Sequence, residues 1–135
     1  MKSTLRISKQ NTKELENQIN IKIKSTNAWT KMITIVDKLD EKNNRAPKLL
    51  CSIEFTESLN DFEIKSVKLL KKNSDHTNEI FQIETNSYEK REHEIMVKNG
   101  PFWNNNGTLS VEIILVQNDV EHLLSSDHVN VESVF

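Results

Sequence analysis

From Ile19 the chain alternates: Ile19, Ile21 and Ile23 are separated by the polar Asn20 and Lys22. A period of two marks a strand with one buried face. Ala28 to Asp37 reads as a second strand, with Trp29 near its start and β-branched Ile33, Ile35 and Val36 beyond. Asp40 to Pro47 is charged and Asn-rich and reads as a loop. Leu49, Cys51, Ile53 and Phe55 then mark a third strand. Phe62 to Leu70 is a fourth, whose apolar positions change parity midway. A β-bulge near Lys65–Ser66 accounts for that slip.

Shorter strands are expected over Glu79–Thr85 and Glu92–Lys98. Asn99-Gly100-Pro101 and Asn104 to Gly107 are breaks. Thr108 to Gln117 is the clearest strand, with Leu109, Val111, Ile113 and Leu115 on one face. A tight turn at Asn118-Asp119 leads to Val120–Leu124, and Val129 and Val131 mark a last strand.

About seven to nine short strands with polar turns predict an all-β fold, an antiparallel β-sandwich of immunoglobulin-like or fibronectin-like architecture. The expected core includes Ile33, Ile35, Cys51, Ile53, Phe55, Leu109, Val111, Ile113 and Leu115. Residues 1–18 are polar and weakly patterned, and read as a flexible or short helical lead to one domain over residues 19–135.

The 135 residues suffice for one domain with its own core. With Gly 2 and Pro 2, turns must rest on Asn, Asp and Ser. Abundant Asn, Lys and Ile share A/T-rich codons, so the Lys excess is read as genome bias before function. Cys51 is the sole cysteine, which rules out an internal disulfide. No segment approaches the length of a membrane span. Lys2 and Arg6 are followed by no apolar stretch, so no secretory signal is expected in this chain. The compartment stays open: cytoplasmic as the chain stands, or extracytoplasmic after removal of a signal.

Charge is uneven. Lys and Arg are in excess up to Lys48, whereas Asn99 to Phe135 has neither. The basic part could meet anionic partners, or it could complement the acidic strands. Aromatic content of 6% with net charge −2 argues against nucleic acid.

Motifs for catalysis are missing. The chain has no Gly-x-Ser-x-Gly elbow, Gly-rich phosphate loop or His-Glu-x-x-His. Cys51 lies in an apolar alternation and reads as a buried small hydrophobe. His76, His93, His122 and His128 each have an acidic neighbour, and His122 and His128 flank the last turn. They are the basis of a third-ranked reading as a small metal-dependent enzyme; no cofactor or metal is otherwise expected.

The distinctive stretch is Asn99 to Gly107, in which Phe102, Trp103 and Asn104 stand between two turn signals. Aromatics on loops are favoured anchors for recognition; equally, they can plug the end of a sandwich. Adjacent residues in an extended segment face opposite ways. The expectation is Phe102 inward and Trp103 outward, since Trp tolerates partial exposure. The leading reading is a non-enzymatic module that recognises a protein or carbohydrate through loops or a sheet edge. The alternative is a structural domain of a cell-surface or lipoprotein assembly.

Overall fold

The computed structural model describes residues 19–37, 42–103 and 107–134. The proposed lead over residues 1–18 therefore lies outside the described residues. Among the described residues ten strands form, interrupted by a single 3-10 turn at Thr85–Ser87. They are β1 Ile23–Asp37, β2 Lys42–Phe55, β3 Glu63–Lys72, β4 Asn78–Gln82, β5 Tyr88–Lys90, β6 Glu94–Val97, β7 Thr108–Gln117, β8 Val120–Ser125, β9 Val129–Asn130 and β10 Glu132–Val134.

Two sheets result, and the chain is an all-β sandwich. The first has the order β10-β1-β2-β6-β5; the second runs β4-β3-β7-β8, with β9 beside β7. Pairing is antiparallel except where β10 lies parallel to β1. Inward residues of both sheets merge into one core, with Leu49, Cys51, Ile53, Val67, Leu69, Ile95, Leu109, Val111, Ile113 and Leu115 fully buried. The expected bulge in β3 is present as a register shift between Ile64 and Ser66. Asn118 and Asp119 both have positive φ, 53° and 64°. That is the signature of the two-residue turn that matches strand twist, and it joins β7 to β8.

Three expectations are corrected. Ile19–Ile23 and Ala28–Asp37 do not form separate strands: one strand starts at Ile23, with a register shift between Ile23 and Ser25. Lys42 to Pro47 is strand rather than loop, because it pairs with β1 from Met32↔Pro47 to Asp37↔Lys42. Polar residues suffice there because the ladder bonds come from backbone, and Thr34 and Arg45, on the inward parity, are exposed. This end of the hairpin projects past the core. Ile33 is half-buried instead of core, since Ala28 and Thr30 take the inward parity of β1.

Candidate recognition surface

Beyond β6 the chain continues along β2. The pairing passes from Cys51↔Val97 to an isolated bridge Lys48↔Phe102, three residues along β2 against five on the opposite side. Lys98, Asn99, Gly100 and Pro101 absorb the difference. The N–H groups of Lys98 and Asn99 both donate to the Ser87 carbonyl, at 2.8 and 3.1 Å. Gly100 N–H donates to Leu49 O at 3.1 Å, and Leu49 N–H donates to Pro101 O at 3.0 Å. A Cβ on Gly100 would lie 2.5 Å from Leu49 O, so this close backbone approach needs glycine. Trp103 N–H donates to Pro47 O at 3.0 Å. Pro47 has no N–H with which to return that bond.

This bridge sets the direction of the two aromatics. Leu49 is inward, so Lys48 is outward, and Phe102 opposite Lys48 shares its face. Phe102 is 52% exposed and Trp103 is 1% exposed. The expectation of Phe102 inward and Trp103 outward is thus reversed, because parity is imposed by the distant β2 and not by the preference of either ring. Asn104, the third candidate contact, lies outside the described residues.

Trp103 fills the space between the sheets. Its ring centroid is 6.1 Å from that of Phe81, and Lys71 Nζ stands 4.8 Å over the ring. Lys71 is itself buried, 4.0 Å from Glu79 Oε2. The indole N–H finds no acceptor among the described residues. Gly107, with φ +152°, closes over this cluster: a Cβ there would lie 2.7 Å from Lys72 O and 3.3 Å from Lys71 Cε.

Phe102 stands on the opposite, outward face. Lys48 Nζ lies 5.2 Å over its ring. Lys48 pairs directly with Lys31 across the β1–β2 ladder, and Trp29 pairs with Leu50 one step along that face. Like charges directly opposite are unfavourable. No acid forms an ion pair with Lys31 or Lys48 among the described residues. The face therefore combines an exposed aromatic ring, partly covered Trp29 and Leu50, and two lysines with no acidic partner among the described residues.

The other candidates are dispersed. Cys51 is fully buried, and desolvation pushes its thiol up to about 12, which leaves it a poor nucleophile. His122 packs edge-on against Phe62 with centroids 6.5 Å apart. His128 instead shares a shallow depression with His76, beside Lys72, Asn73 and Asn130. Among the described residues no group of three or more His, Cys, Asp or Glu is placed to hold a metal. No helix among them is long and apolar enough to cross a membrane.

No protein-family model, curated protein or solved structure matches this chain.

Proposed function

We propose that this domain is a non-enzymatic interaction module of immunoglobulin-like architecture that takes a protein or carbohydrate partner on the outward face of its first sheet. The carrying observation is Phe102, half exposed on a segment clamped to β2 by backbone hydrogen bonds and set beside the cross-strand Lys31–Lys48 couple, which has no acidic partner among the described residues. A rigid aromatic loses little entropy on binding. Its neighbouring lysines, directly opposite one another across the β1–β2 ladder, gain from an anionic group laid between them. Trp103 supports this reading from inside, since its burial holds the segment down while Phe102 stays free.

The test is amide-shift mapping of labelled protein with two defined probes, an acidic peptide and an oligouronate. The reading expects perturbations centred on Trp29, Lys31, Lys48, Leu50 and Phe102. Phe102→Ala should abolish them while lowering the melting temperature by no more than a few degrees. Shifts confined to the His76–His128 depression, or a Phe102→Ala variant that binds as the parent does, would sink it.

A further inference from the structure

We infer that two copies of this chain pair through β4, about a two-fold axis at Ile80, so that their second sheets join edge to edge. This rests on β4 alone and is independent of the Phe102 face. β4 is the terminal strand of its sheet. Ile83 N–H donates to Val67 O at 2.9 Å, so alternation turns the backbone groups of Glu79 and Phe81 toward β3. Those of Asn78, Ile80 and Gln82 then point off the edge, and no backbone hydrogen bond among the described residues occupies them. The Ile80 side chain is 65% exposed in the middle of this row.

The edge is complementary to itself. An antiparallel register centred on Ile80 puts each Ile80 against its counterpart, in reciprocal backbone bonding. Asn78 then faces Gln82, and Glu79 faces Phe81. No charge meets a like charge, and the two isoleucines cover one another. β4 borders a groove of about 370 Å³ lined by Ile80, Ile83, Ser87, Asn99 and Pro101.

The β8 and β5 edges lack this match. β8 presents Leu123, 61% exposed, with the same backbone alternation, since Ser126 N–H donates to Val111 O. Self-pairing about Leu123 would bring Asp119 opposite Asp127, and neither forms an ion pair among the described residues. The chain from Asn99 to Phe135 has no Lys or Arg to offset them. β5 spans three residues and ends in Lys90, with Arg91 directly after it, the charged guard usual on an edge strand.

Sedimentation equilibrium of the full chain tests this over micromolar to millimolar concentrations. A reversible dimer is expected. Ile80→Lys should weaken it by about tenfold or more while melting as the parent does at concentrations low enough for both to be monomeric. Ile80→Pro removes an N–H that faces outward, so it should act likewise without touching the β3 ladder. Paired residues of this kind have Cα atoms about 5.5 Å apart, within disulfide reach. Ile80→Cys should therefore oxidise to a covalent dimer, and Leu123→Cys should not, with Cys51 buried in both. A parent that stays monomeric throughout overturns the inference. So does a dimer indifferent to Ile80→Lys, or one that Leu123→Cys cross-links as readily.

Discussion

Phe102 and Trp103 show how neighbouring residues of similar chemistry are separated by a single register. Trp103 is enclosed by Phe81 and Lys71; removing it would leave a void that the sheets can close only in part. Trp103→Ala should destabilise the fold by about 3–5 kcal/mol. Phe102→Ala gives up an exposed ring and one cation–π contact, so the cost should stay under about 1 kcal/mol. Thermal melts of the two variants side by side check the assignment, and a larger loss for Phe102→Ala would reverse it. The pair could be singled out from sequence because aromatics between two breaks are unusual. Their directions could not, because Lys48 and Phe102 are brought opposite one another by a contact between distant segments. Lys71 was missed altogether: at the head of the polar stretch Lys71 to Asn78 a lysine reads as solvent-facing, whereas the fold buries it against Trp103 and beside Glu79.

At the scale of elements, β7 and the second half of β2 were legible because one face of each is buried along its whole length, which keeps the period of two intact. The first half of β2 was not, because its partner β1 outruns the core and selects no apolar pattern. On that hairpin the Lys31–Lys48 pair sits at a direct cross-strand position. Relieving it should stabilise the fold: Lys31→Gln is expected to gain about 0.2–1 kcal/mol at low salt. The gain should vanish near 1 M salt, where screening acts over about 3 Å. Under the proposed function the same variant binds the acidic peptide or oligouronate more weakly. Urea unfolding at two salt concentrations measures the first effect, and a Lys31→Gln variant no more stable than the parent at low salt would remove the argument for a strained cationic pair. The Gly100 turn is the second sensitive point. Gly100→Ala should cost about 1–3 kcal/mol, since a Cβ 2.5 Å from Leu49 O forces backbone apart. It should also shift the Phe102 amide resonance while leaving those of β7 in place.

For the whole molecule, the shifted groups define a pH profile with two limbs of different origin. Glu89 accepts hydrogen bonds from Arg91 and Lys98, which hold its carboxyl down at about 2 from an ordinary 4.5. Asp75 is lowered by the Thr77 hydroxyl and N–H, and Glu94 by the Ser52 hydroxyl and then Arg91. A depressed folded value means that the unfolded chain takes up protons first as the pH falls. Their contribution is thus present above the ordinary carboxylate range and is lost on descent toward pH 2. These carboxyls are solvent-exposed, so this limb should be shallow and should weaken in salt. Cys51 acts in the opposite sense. Its folded thiol is raised to about 12 from 9.0, so between those values the unfolded chain ionises while the native one does not. Stability is intact below pH 9 and declines above it. Melting temperature against pH should show a plateau from about pH 5 to 9, falling on both sides. Cys51→Ala should flatten the alkaline limb, and Glu89→Gln should soften the acid limb, each without effect on the other side. The alkaline test also reports on burial: a thiol probe should label Cys51 slowly in the native state and rapidly in denaturant. An alkaline limb unchanged in Cys51→Ala, together with rapid native labelling, would mean that the two sheets part at β2 far more often than a closed core allows.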